Sequence, residues 1–173
     1  MFKRGVVSHC NGPAVALGCT VGQYCEEAAQ KMCAGSAWEG EPPPYSEGHF
    51  ELRDGVIGCD SAALVQDSDT GLIIITGSHG GALASRPSYG LAVTARGAAF
   101  NDAGVGIEDA GIQRLEILDQ ASVPAVTVDA MTACIGNARS AWDNGIISHI
   151  NQQATKRGVK VGMTIVDFAD LLS

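Results

Sequence analysis

The stretch Leu72-Ile-Ile-Ile-Thr-Gly-Ser-His-Gly-Gly81 constrains the fold more than any other part of the chain. A run of branched aliphatic residues reads as a strand buried on both faces, the situation of a parallel sheet covered by helices. The run stops in Gly-Ser-His-Gly-Gly, so it delivers an imidazole to a loop whose glycines let the backbone turn sharply or close on a ligand.

From that strand onward, apolar strands alternate with helical stretches. Leu72 to Thr76 is followed by a helix near Pro87 to Arg96, a strand Ala98 to Phe100, a helix from about Ile107 to Ala121 and a strand Ala125 to Val128. Strands separated by one helix each are expected to run parallel with right-handed crossovers. The fold class is therefore α/β: a single domain whose mostly parallel open sheet is flanked by helices. A further helix is expected from about Gly145 to Lys156, and a last one over Ile165 to Leu172, capped by Thr164 with Asp167 at its third position.

Upstream, Asp54-Gly55 between short apolar pieces predicts a hairpin over Phe50 to Ile57. Pro42-Pro43-Pro44 marks a loop. A helix is expected over Val21 to Cys33, opened by a Thr20/Gln23 capping box and closed at Gly35, with Cys25 facing inward and Glu27 paired to Lys31.

At 173 residues the chain suits one domain, and no internal repeat stands out. Hydrophobic residues make up 46% and charged residues 17%, which argues against disorder and favours a homo-oligomer. The formal net charge is −8 and no basic cluster exceeds Lys156-Arg157, so neither nucleic acid nor an anionic membrane is an expected partner. The first residues imitate a lipoprotein signal ending at Cys19, but Ser8, His9, Cys10, Asn11 and Pro13 interrupt the apolar region such a signal needs. A cytoplasmic protein is expected, its six cysteines reduced, none in Cys-x-x-Cys spacing and most of them small core residues.

In an open parallel sheet, ligands bind beyond the carboxyl ends of the strands. Three segments lie there: Gly77-Ser78-His79-Gly80-Gly81, Asn101-Asp102-Ala103-Gly104-Val105-Gly106, and Asp129-Ala130-Met131-Thr132-Ala133-Cys134-Ile135-Gly136. His79 is the candidate catalytic residue, because a neutral imidazole exchanges protons near pH 7, and Asp102 or Asp129 is the carboxylate expected to orient it. Gly77, Ser78, Gly80, Gly81, Asn101, Gly104, Gly106, Thr132 and Cys134 are the candidate ligand contacts, suited to an anion. Asp102 and Asn101 have a structural alternative, as Asx turns or caps. Glu108 and Asp109 suit the first turn of a helix. His149 falls at the edge of an apolar helical stripe, and His9 and His49 sit in loops with no convergent partners.

No cofactor is indicated. Gly104-x-Gly106 lacks the third glycine of a dinucleotide fingerprint, and no Gly-Lys-Ser/Thr element occurs. A divalent metal on His79, Asp102 and His149 has no supporting spacing.

Thr132-Ala-Cys-Ile-Gly136 loosely resembles the Gln-Ala-Cys-x-Gly nucleophile segment of caspase-like cysteine peptidases, with His79-Gly80 lying 55 residues upstream at the end of a strand. The resemblance covers roughly ten residues. It implies a cysteine hydrolase with His79 and Cys134 as its dyad; Thr132 in place of glutamine and the early Asp129 depart from the pattern.

Three functional readings follow. The first is a small α/β enzyme, hydrolase, isomerase or lyase, in which His79 performs acid/base chemistry on a small anionic metabolite. The second is a non-catalytic ligand-binding or regulatory domain built on the same loops, and the third a subunit of a larger enzyme. The caspase-like hydrolase is the remotest alternative.

Overall fold

The computed structural model describes residues 2–36, 39–41, 46–83, 85–86 and 88–173. The chain divides into two compact units, Met1–Pro44 and Tyr45–Ser173. The triple proline at 42–44 lies outside the described residues.

The first unit carries α1 (Gly12–Ala16) and α2 (Cys25–Met32). The Asn11 side chain caps α1 by accepting from Ala14 N–H, a local signal absent from the expectations above. Helix α2 begins later than expected. Tyr24 stands at its N-cap without a side-chain bond, so Thr20 and Gln23 do not form its capping box. Lys31 donates to the Gly18 carbonyl at 2.6 Å and to Gln23 Oε1 at 2.8 Å instead of pairing with Glu27. Cys25 is only half-buried, and the small core is Ala14, Cys19 and Ala28.

The second unit is a six-stranded sheet whose spatial order follows the chain. Strand β1 (His49–Arg53) and strand β2 (Val56–Cys59) form the expected hairpin, with Gly55 at φ 75° in the turn. Strands β3 (Ile73–His79), β4 (Gly97–Asn101) and β5 (Ala125–Val128) follow, and β2 to β5 are mutually parallel. An antiparallel edge, β6 (Ile147–Ile150), closes the order. The helices of this unit are α3 (Arg114–Gln120), α4 (Ala138–Asn144), α5 (Gln152–Lys156) and α6 (Ile165–Leu172).

The aliphatic run of β3 is buried on both faces. Ile73 and Ile75 pack with Val126, Val128, Ala141, Ile165 and Phe168, while Ile74 points to the opposite face with Phe100, Leu115 and Leu118. Each such side chain contributes about 1.5–3 kcal/mol by leaving water. Alternation along one strand thus builds both apolar layers.

Three expected elements are corrected. Residues 88–96 form no helix: Gly71 N–H bonds Thr94 O and Arg96 N–H bonds Leu72 O, so the end of this loop lies beside the start of β3 in the parallel register that β4 continues. Pro87 lies outside the described residues. The helix expected from Ile107 begins only at Arg114, because Glu108 and Asp109 take positive φ values of 56° and 55° and cannot continue a right-handed turn. The helix expected over 145–156 is β6 followed by α5. Asn151 separates them, and the branched Ile147 and Ile150 suit a strand. Helix α4, capped by Asn137, lies where no helix was expected.

Helix α6 forms as predicted. Thr164 Oγ1 accepts from Asp167 N–H at 3.1 Å, and Asp167 Oδ2 accepts from Thr164 N–H at 2.9 Å. Those bonds from the Thr164 backbone and hydroxyl hold the Asp167 carboxyl below its usual range. Thr164→Ala is expected to lower unfolding free energy by about 1 kcal/mol. Urea unfolding reads this as an earlier midpoint at constant slope; an unmoved midpoint would show that the cap does not support α6.

Candidate functional site

The three strand-end segments do converge, and hydrogen bonds join each to the next. Gly80 N–H donates to Asn101 O at 2.8 Å, linking the β3 and β4 ends. Asp102 Oδ1 accepts from Ala130 N–H at 3.0 Å and Asn101 Nδ2 donates to Ala133 O at 3.0 Å, linking the β4 and β5 ends. Gly136 N–H donates to Gly77 O at 2.7 Å, closing the ring of segments.

Much of the polar equipment expected to meet a ligand is spent on this junction. Asn101 is 1% and Asp102 4% exposed, and their side chains also accept from Ala103 and Gly104 N–H in Asx turns. Asp129 Oδ1 accepts from Met131 N–H, while Thr132 Oγ1 donates to Asp129 O and accepts from Ile146 N–H. Gly77 abuts the backbone of Asp60, Gly136 and Asn137, and Gly80 and Gly81 abut the backbone of 110–112. Those glycines make room for the protein's own chain. Gly104 and Gly106 have φ values of 70° and 75° in a loop that also holds Ala103 and Val105 at positive φ. For the branched Val105 that conformation is costly, about 1–3 kcal/mol.

His79 itself faces a cavity of about 600 Å³ lined by Ser61, Ala62, Ser78, Arg86, Tyr89 and Arg114, among others. Its Nδ1 accepts from Gly81 N–H at 3.0 Å. That bond requires an unprotonated Nδ1, so the ring is the neutral tautomer carrying its proton on Nε2. Desolvation, and then the Arg114 guanidinium, lower the pKa of His79 from its ordinary 6.5. Among the described residues no carboxylate bonds His79; Asp102 and Asp129 are engaged as above. Ser78 Oγ accepts from Ala62 N–H, tying β3 to the segment after β2.

Arg114 was not among the residues singled out from sequence. It is 3% exposed, begins α3, and donates through Nε to Gly81 O at 3.0 Å and through a terminal nitrogen to Gly90 O at 3.4 Å. Its guanidinium stacks against Phe100 at 5.2 Å and Tyr89 at 6.0 Å from the ring centroids. No carboxylate among the described residues pairs with it, and burial lowers its pKa. The sequence does hold a trace of this: Arg114 shares the inward stripe of Leu115 and Leu118, where a charge is unexpected.

The remaining candidates lie apart from this cavity's lining. Cys134 is exposed, its N–H bonded to Ser140 Oγ, and no bond among the described residues joins it to His79. His149 is on β6, its Nδ1 3.1 Å from Ser148 Oγ, and borders a separate groove with Asp109, Glu116 and Asp119. Of the cysteines, only Cys19 and Cys59 are buried, so most are not core residues. Burial, then Asp69 and Asp60, push the Cys59 thiol up to about 12, which rules it out as a free nucleophile. No helix among the described residues is long and apolar enough to cross a membrane.

No known protein family, curated protein or solved structure matches the chain.

Proposed function

We propose that the protein acts on a small metabolite bearing a carboxylate or phosphate group, which Arg114 holds while His79 donates a proton or hydrogen bond from Nε2. The observation that carries this reading is a buried arginine, without a carboxylate partner among the described residues, opening on the same cavity as a neutral histidine. An unpaired buried guanidinium is costly, and an anion entering the cavity would supply its missing charge. Arg86, exposed beside Tyr89 at the cavity, adds positive charge along the approach.

The tautomer sets the direction of the chemistry. With Nδ1 occupied by a backbone N–H, Nε2–H serves as a general acid or as a donor to a developing oxyanion. Isomerisation, lyase chemistry and hydrolysis all contain such a step. A second reading, a non-catalytic binding domain, is favoured by one fact: among the described residues no carboxylate orients His79 for proton shuttling, so the ring serves equally as a fixed ligand donor.

A thermal-shift screen of carboxylates and phosphate esters, followed by product analysis, tests both. A ligand at a hundred times its Kd is expected to stabilise the protein by about 2.7 kcal/mol. Arg114→Gln should lose that shift, and if that variant does not fold, the exposed Arg86→Gln should weaken it. His79→Gln should keep binding but lower kcat about 10²-fold. Because protonation at Nδ1 would break its bond to Gly81, the acid limb of kcat/KM should lie below pH 6.5. Ligand binding without product, in wild type as in His79→Gln, selects the binding-domain reading. Full retention of the ligand shift in both arginine variants rejects the anion site.

A further inference from the structure

Away from the lining of that cavity, the β1–β2 hairpin brings three metal-ligating side chains together. His49 and Cys59 are directly opposed partners in the antiparallel register, so their side chains leave the same face of the hairpin. Asp69, from the short 3₁₀ turn Asp67–Asp69, reaches the same point: its Oδ2 lies 2.9 Å from His49 Nε2. The His49 nitrogen, the Cys59 sulfur and an Asp69 oxygen all lie within 4.8 Å of one another.

We propose that His49, Cys59 and Asp69 form a binding site for a single divalent cation of the zinc class. Tetrahedral coordination by N, S and O at about 2.0–2.3 Å places ligand atoms about 3.4–3.6 Å apart. Closing the present triangle onto a metal therefore takes shifts on the order of 1 Å or less. The arrangement around the triangle favours such closure. Cys59 is fully buried and Asp69 2% exposed, its Oδ2 also accepting from Gln66 N–H at 2.8 Å, so two of the three donors are held in place. His49 is the partly exposed member, with a quarter of its side chain open to solvent, and is free to adjust.

The chemistry of the donor set selects the ion. One thiolate and one carboxylate neutralise a dication, and the neutral imidazole adds no charge. Sulfur with nitrogen favours zinc, cobalt or copper over magnesium or calcium, which prefer oxygen cages. Binding replaces the thiol proton by a metal–sulfur bond and releases that proton to solvent. Asp60, next in sequence to Cys59, stays outside the ligand set. Both of its oxygens are taken, Oδ2 by Gly48 N–H and Oδ1 by Ala138 N–H, which fixes the residues flanking His49 and Cys59. With three protein ligands, the fourth position falls to water or a small ligand on the open, His49 side.

Cobalt titration of the full chain, freed of metal by chelation, tests the proposal. One equivalent of Co²⁺ should give the visible bands of a tetrahedral site and a near-ultraviolet sulfur-to-cobalt charge-transfer band, both lost on adding Zn²⁺. Cys59→Ser should abolish the charge-transfer band. His49→Ala, at a partly exposed position, should weaken Co²⁺ binding at least about tenfold. The double variant Cys33→Ser/Cys134→Ser, lacking the two exposed thiols, should bind as wild type. Absence of the charge-transfer band, its persistence in Cys59→Ser, or its loss in the Cys33/Cys134 variant would each overturn the proposal. Should Cys59→Ser fail to fold, undiminished affinity in His49→Ala overturns it alone.

Discussion

Asn151→Ala is expected to lower the unfolding free energy by about 3 kcal/mol or more, although the residue touches no part of the candidate site. Asn151 is 6% exposed and uses its whole side chain. Oδ1 accepts from Ala125 N–H at 3.0 Å and Ala154 N–H at 2.9 Å, while Nδ2 donates to Val123 O at 2.8 Å and Leu115 O at 3.3 Å. One amide thereby joins the start of β5, the start of α5, the segment before β5 and α3. Truncation removes a helix cap, worth about 1 kcal/mol, and leaves buried backbone groups unpaired at about 1–3 kcal/mol each. Asn151→Asp keeps the acceptor but loses both donors and buries a charge, so it should be no milder. Urea unfolding of both variants gives the result; a loss below about 1 kcal/mol in Asn151→Ala would mean that water replaces the amide without cost.

The same residue shows where the sequence stops being readable. Ile146, Ile147 and Ile150 fit a helical stripe, yet Ile147 and Ile150 lie in β6, and what decides is the pairing of β6 with β5 and the non-local bonds of Asn151. Local signals fared better. Asp54-Gly55 makes its hairpin, and Thr164 with Asp167 makes its box, because each is complete within four residues. The strand-end placement of His79 was legible from the apolar run before it. Its surroundings were not: Arg114 joins it through carbonyls of Gly81 and Gly90, more than twenty residues distant in sequence. The His49–Cys59 pair had no readable trace: counting outward from the Asp54-Gly55 turn puts Phe50, not His49, opposite Cys59. The bulge between Glu51 and Arg53 shifts that count by one, so turn chemistry alone puts the pairing out of step.

Gly77→Ala is expected to destabilise the protein by about 3 kcal/mol or more, because the added methyl has only backbone to displace. A Cβ on Gly77 would lie 2.6 Å from the Asp60 carbonyl oxygen and 2.6 Å from the Gly136 carbonyl carbon, and against Asn137 N as well. A side chain relieves such a clash by changing rotamer; these three backbone atoms have no such freedom. They are themselves held, Gly136 by its bond to Gly77 O and Ala138 by Asp60 Oδ1. Relief therefore means separating β3 from the segment after β5, and the ring of strand ends opens at the residue two before His79. Thermal unfolding should show a midpoint lower by about 6–12 °C for a chain of this size. Gly12→Ala is the matched control: no heavy atom lies within 4 Å of its Cβ position and its φ is ordinary, so the added methyl should change stability by less than about 0.5 kcal/mol. Near-wild-type melting of Gly77→Ala would mean that the segment carrying Gly136 is not packed on β3. His79 would then sit at the end of a strand tied to the β4 end alone, through the bond from Gly80 N–H to Asn101 O.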